Sequence, residues 1–219
     1  MTVDVVTYQN HHLFDDNPIW KQAVIRREMC IDVLQWPGRT TVDGGKQNAP
    51  AEFDSYDSPE CNPVYLIARW DGEIVGVNRM LCTGTGRWMI KDLWSHMVKD
   101  VDYIPQSPKV WEQSRFCFLP SFAPGSKERA MVVAELCCAT QDFLEAVGGT
   151  EVWFMAWPES VDRMLPNREW LGPEINVDGV MCRVGRNEAT KVADPLVRKK
   201  LGLPKSVLNW KGENSRVAA

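Results

Sequence analysis

The chain has 219 residues, 25 basic and 29 acidic side chains, and a formal net charge of −4. With 44 % hydrophobic residues, including ten Trp, seven Phe and nine Met, it carries too much apolar surface for a disordered chain. Its excess of acid argues against a general nucleic-acid binder, and no stretch approaches the ~18 uncharged apolar residues of a membrane span. Asp4 interrupts the N-terminal stretch where a secretory signal would be basic and then apolar, so a cytoplasmic protein with a single domain over 1–219 is expected.

Residues 2–8 alternate and are rich in Val, the pattern of a first strand. Residues 18–36 read as a helix with Ile19, Trp20, Ala23, Val24, Met29 and Val33 on one stripe, and 37–50 as a long loop. Two strands, 63–70 and 73–81, flank Asp71-Gly72, a strong hairpin signal. A short helix or turn region follows at 88–98 and a strand at 110–119. Ser126 is placed to cap a helix over 127–147, with Met131, Ala134, Leu136, Cys138, Phe143 and Leu144 inward and Gly148-Gly149 as its stop. An apolar strand at 150–157, a helical turn at 159–165 and a helix at 195–201, opened by Asp194-Pro195 with Gly202 just past it, complete the reading. The mixture is α/β.

The seven cysteines are odd in number and include no C-x-x-C. They read as free thiols. The three histidines, two of them the adjacent His11-His12, show no metal-ligand spacing. Structural zinc and Cys-His catalysis are therefore not expected.

Three groups of residues can carry chemistry. Glu52, Asp54 and Asp57 crowd three carboxylates into six residues, which repel unless cations or donors hold them. The spacing is wrong for an EF-hand, and Arg26 or Arg27 and Arg79 are candidate partners. A solvated acidic loop is the plain alternative. Glu112-Gln113-Ser114-Arg115 interrupts an apolar strand, and strict alternation would put Glu112 and Ser114 on one face, Gln113 and Arg115 on the other. Buried there, Glu112 would have a raised pKa suited to a general base; a structural ion pair is the alternative. Last, the segment 119–126 before a helix start offers free N–H groups to a pyrophosphate or phosphopantetheine arm.

Read together, these residues resemble the acyl-homoserine lactone synthases, the autoinducer synthases of bacterial quorum sensing. That family's Arg-x3-Phe-x5-Trp falls on Arg26, Cys30 and Trp36, and its Glu-x-Asp-x2-Asp on Glu52, Asp54 and Asp57. Its strand arginine is Arg79, its Met-Leu-x-Asp-x-Phe stretch is similar to Met89 through Trp94, and its Glu-x-Ser-Arg-Phe is Glu112, Ser114, Arg115 and Phe116. The likeness runs over about 20–165 and leaves 173–219 unmatched. Cys30 in place of Phe is a departure.

The resemblance implies a GCN5-related acyltransferase-like α/β/α sandwich with a mixed, splayed central sheet. It implies S-adenosylmethionine and an acyl thioester, on coenzyme A or acyl-carrier protein, as substrates, with no metal or redox cofactor. The amine of S-adenosylmethionine would attack the thioester and its carboxylate would then close the lactone, releasing methylthioadenosine. Glu112 is the expected base, with Ser114 assisting at the oxyanion. Arg26, Asp54, Asp57, Arg79, Arg115 and Phe116 are expected around the substrate, and Trp36 over the adenine or sulfonium. The acidic cluster would make the site negative. By the same likeness the strand 150–157 lines the acyl chamber. There Trp153, Met155 and Trp157 share one face. With Met155 and Trp157 in the chamber, a short, branched or aromatic acyl group is expected, unless that face packs on the helix 127–147. Residues 183–205 carry seven basic and two acidic side chains, net +5. They form a candidate docking patch for the donor, or else a solvated tail. An N-acyltransferase using another amine and a non-catalytic binding or regulatory protein are the competing readings.

Overall fold

A computed structural model describes residues 1–35, 49–161, 165, 167–177, 179–203 and 208–212. The hairpin read from Asp71-Gly72 is its backbone: both residues adopt positive φ, 51° and 88°, and turn β2 (Val64–Trp70) into β3 (Glu73–Cys82). Two left-handed residues twist in the sense that right-handed strands require. β1 (Thr2–Val6) pairs antiparallel with β2, and β4 (Val110–Phe118) with β3.

The sheet then changes character. β5 (Glu151–Ala156) lies parallel to β4, as its connection through the long helix α3 (Lys127–Val147) demands. The two strands pair only from Val110↔Glu151 to Gln113↔Phe154. Beyond that rung β4 runs on to Phe118 with no β5 partner, so the sheet splays at Ser114. β6 (Glu169–Trp170) and β7 (Ile175–Val177) pair with β8 (Val180–Glu188), which pairs with β5. β9 (Leu208–Trp210) adds in parallel to β1. The order β6-β8-β5-β4-β3-β2-β1-β9 is mixed and open, with helices on both faces.

α3 begins and ends where expected. The Ser126 side chain accepts from Arg129 N–H, and Gly148 closes the helix at φ 71°. Of the residues expected inward, Leu136, Cys138, Phe143 and Leu144 are buried together with Val132 and Ala139, whereas Met131 and Ala134 stand on the flank. The apolar cluster under α3 takes in Val3, Val5, Leu66, Met80, Trp111, Val152 and Phe154. On the other face lie α1 (Pro18–Arg26), its continuation Arg27–Val33, and α2 (Met89–Leu93). The continuation is wound more widely, as a π-helix, and the five-residue spacing brings Arg27 to 3.0 Å from Asp32. α4 (Pro158–Val161) is a short turn, and α5 (Pro195–Leu201) is capped by Asp194 and Gly202 as read.

Candidate active site

On the face away from α3, three arginines and three carboxylates close into a ring. Arg26, the last residue of α1, grips Asp57 with two bonds of 2.8 Å and reaches Glu52 through Nε at 2.5 Å. Arg79 on β3 holds Asp54 at 2.6 and 3.0 Å and Asp57 at 2.8 Å. Arg115 on β4 joins Glu52 at 3.0 Å to Asp54 at 2.7 Å. At hydrogen-bond distance each guanidinium bridges two acids and each acid two guanidiniums, with Arg26 also 3.9 Å from Asp54, so α1, residues 52–57, β3 and β4 are tied at one point.

The segment 52–57 is shaped for this. Glu52 N–H donates to the Ala23 carbonyl, and a capping box links Asp54 and Asp57 through each other's backbone. Tyr65 adds a hydroxyl at 2.8 Å from Asp57. The six side chains are almost wholly buried: Arg26 and Arg79 0 %, Asp54 1 %, Glu52 2 %, Asp57 4 % and Arg115 9 % exposed. Burial alone would push the Asp57 carboxyl up, but Arg26 and Arg79 outweigh it and hold it well below the usual carboxylate range. Arg79 and Arg115 overcome burial in the same sense at Asp54.

Two expectations change here. Three acids matched by three guanidiniums sum to zero, so the cluster does not make the site negative. Nor do Gln113 and Arg115 share a face. Arg115 sits at φ 54°, and the β3–β4 register shifts between Val77 and Arg79, so β4 carries a bulge. The extra residue swings Arg115 to the side of Ser114, whose Oγ accepts from Arg79 Nε at 3.1 Å. Phe116 is returned to the α3 face, where it packs on the apolar cluster away from the ring.

Glu112 lies one rung before the splay, between Leu81 on β3 and Trp153 on β5. Its carboxylate accepts the backbone N–H groups of Met89 at 2.8 Å and Ile90 at 3.0 Å, the first turn of α2. It is 2 % exposed. Burial raises its pKa to about 7, against the pull of those amides and of Arg79. The sequence named the residues from Met89 to Trp94 by likeness only, and their part in holding Glu112 was not read from them. Tyr56, which donates to Asp92 at 3.1 Å, and Tyr65 were also missed, because a tyrosine with a distant partner leaves no local pattern.

The β5 side chains divide as alternation requires up to Ala156. Val152 and Phe154 face α3. Trp153 packs edge-on to Trp88 at 5.7 Å on the other side, where Met155 joins it. The Trp153–Met155 face is therefore not the one covered by α3. Trp157 stands 50 % exposed beyond the strand end. Of the basic segment, Arg198 is bound to Asp142 at 2.8 Å and to the Cys138 carbonyl, and Arg186 to Glu169. Lys191 is bound to Glu188 at 2.8 Å and Arg183 donates to the Gly172 carbonyl, so among the described residues of the segment Lys199 and Lys200 are the basic side chains with neither an ion pair nor a hydrogen bond. Lys205 and Trp36 lie outside the described residues, as does most of the loop 37–50.

An open mixed sheet thus parts between two parallel strands beside the buried Glu112 carboxylate. Residues 10–170 match the autoinducer synthase family, and the chain belongs to it. It is similar to an acyl-homoserine-lactone synthase of Ralstonia nicotianae, 36 % identical over 41 % of this chain and 46 % of that protein. A second, from Rhizobium etli, is 38 % identical over 36 % and 37 %. The matched stretch thus spans less than half of either relative. In fold the chain is similar to the CoA-dependent acyl-homoserine lactone synthase BjaI, solved with S-adenosylmethionine and isopentyl-CoA. The TM-score is 0.79 at 21 % identity, over 97 % of this chain and 94 % of that one. No helix among the described residues is long and apolar enough to cross a membrane.

Proposed function

We propose that the protein is an acyl-homoserine-lactone synthase that joins S-adenosylmethionine to an acyl thioester of coenzyme A or acyl-carrier protein. The observation that carries this reading is the position of Glu112. A buried carboxyl with a pKa of about 7 sits one rung before the point where β4 and β5 part. Past Gln113 the β4 edge facing β5 has no strand partner, and a thioester arm lying there would place its carbonyl beside Ser114. The matched relatives and BjaI carry the same activity in their names, which supports the choice of substrates.

The steps follow from that placement. Glu112, directly or through a water, takes a proton from the S-adenosylmethionine ammonium, which is inert until deprotonated. The free amine attacks the thioester carbonyl, and the tetrahedral oxyanion is met by backbone N–H groups with Ser114 assisting. Collapse forms the amide and expels the thiol. The methionyl carboxylate then attacks its own γ-carbon, the C–S bond to the sulfonium breaks, and lactone and methylthioadenosine leave. The chemistry requires no metal or redox cofactor. Arg26, Asp54, Asp57, Arg79 and Arg115 fix the floor of the site as a rigid, neutral block. By its place in the family motif Trp36 is assigned to the adenine or the cationic sulfonium, which an aromatic face attracts. Met155, beside the buried Trp153, walls the acyl side with Trp157 at its rim, so short, branched or aromatic acyl groups are favoured.

The test is incubation with S-adenosylmethionine and thioesters of short, branched, aromatic and long straight acids, followed by product identification. Methylthioadenosine and an N-acyl-homoserine lactone are expected. Thiol release without methylthioadenosine would indicate an N-acyltransferase of the same fold using another amine, and no product at all a non-catalytic binding or regulatory protein.

A further inference from the structure

Cys30 and Cys117 lie 87 positions apart in the chain, yet their sulfurs stand 3.6 Å apart in the interior. Cys30 is on the wide-wound Arg27–Val33 helix and Cys117 near the end of β4. No other pair of cysteine sulfurs among the described residues is hydrogen-bonded. The surroundings are not neutral. Cys30 follows Arg26 by about one turn and Cys117 follows Arg115 by two residues, and both guanidiniums grip Glu52. We propose that Cys30 and Cys117 form an oxidisable dithiol that a small peroxide converts to a disulfide, covalently tying the Arg27–Val33 helix to β4.

The two thiols are unequal, as such a step needs. The hydrogen bond between the two thiols lowers the Cys30 pKa against burial, with Arg115 helping, while the same bond and burial hold Cys117 well above the usual thiol range. Cys30, the thiol whose pKa is lowered, attacks one peroxide oxygen as its thiolate. The O–O bond breaks, Cys30 becomes the sulfenic acid, and the departing hydroxide takes a proton to become water. Cys117 then loses its proton and attacks the Cys30 sulfur, and the S–O bond breaks to give a second water. Two thiols are oxidised by two electrons and one peroxide is reduced. The sulfurs must close from 3.6 Å to the roughly 2.05 Å of a disulfide. At 2 % and 3 % exposure neither sulfur admits a bulky oxidant, so hydrogen peroxide is expected to act and glutathione disulfide is not.

The experiment treats the full chain with hydrogen peroxide under native conditions, alkylates remaining thiols after unfolding, and maps the peptides. The expected result is a Cys30–Cys117 linked peptide lacking two hydrogens, the dominant cross-link, which reductant abolishes. In Cys117→Ser it is absent; should that variant fail to fold, Cys30→Ser supplies the same control, and the wild-type map stands without either. Recovery of Cys30 and Cys117 as alkylated thiols while other cysteines are oxidised would overturn the proposal. So would a sulfinic or sulfonic acid at Cys30 with no cross-link. The readout is chemical, so it is independent of whether the protein makes a lactone.

Discussion

On the face covered by α3, β3 and β4 present Met80, Cys82, Trp111 and Phe116 to an apolar cluster. On the opposite face the same two strands present Arg79, Glu112, Ser114 and Arg115 to a ring of charges and a buried carboxyl. Both faces are dry, but they are held by different physics. The α3 face gains from removing apolar area from water and tolerates substitution in proportion to volume. The charged face gains little net stability, since desolvating six ions offsets most of their attraction. What it supplies is position: six side chains from four parts of the chain are fixed beside the splay, and none can shift alone.

The largest break in this comparison comes from opening the ring. Arg79→Ala or Asp57→Ala strands an opposite charge in the interior and is expected to cost about 3–5 kcal/mol, measured by chemical denaturation, with activity lost in the same protein. Leu136→Ala on the other face should destabilise by about 2–5 kcal/mol, yet leave KM for both substrates unchanged in the folded fraction. A ring variant with a wild-type denaturation midpoint would remove the distinction between the faces.

Glu112→Gln sharpens it. The substitution keeps one acceptor for the two amides of α2 and loses the other, so a modest loss of about 1–3 kcal/mol is expected. Turnover should fall by about 10²–10⁴-fold, because the basic oxygen is gone. Near-normal turnover in the folded variant would make Glu112 structural.

The smallest effects are those of pH and of Glu135. Glu135, on α3, is fully buried with neither carboxylate oxygen bonded, and burial raises its pKa to about 7. For Glu112 and Glu135 the folded pKa lies above the ordinary 4.5, so the folded state holds protons that the unfolded chain has released. Stability from both therefore falls as pH rises from about 4.5 to about 7. Asp54 and Asp57, lowered by their arginines, act oppositely: their contribution is present above the ordinary carboxylate range and is lost as pH falls below it. Glu135→Leu should flatten part of the upper slope and raise stability at pH 8 by about 1 kcal/mol, read from denaturation at several pH values.

Much of this was legible in the sequence where a local signal decides the structure. Asp71-Gly72, the Ser126 and Asp194 caps and the glycines at 148 and 202 each satisfy backbone groups within a few residues, and their elements fall where expected. The ring's members were legible as a set through their spacing and likeness to a family. Its neutrality was not, because that depends on which cation reaches which acid. The Arg115 bulge was hidden because a non-glycine residue at positive φ has no sequence mark. β6 to β9 were not foreseen. β6, β7 and β9 are two or three residues long and exist only through pairing with β8 and β1, and in the nine-residue β8 the polar Arg183, Arg186 and Asn187 break up the apolar pattern.

The most direct measurement follows thiol and methylthioadenosine together in one reaction, with wild-type protein and with Glu112→Gln. Equal amounts of the two products are expected from the wild type, with both slowed alike in the variant, since acyl transfer at Glu112 precedes lactone closure. Thiol released without methylthioadenosine, or a variant as fast as the wild type, would contradict a lactone synthase built around that carboxylate.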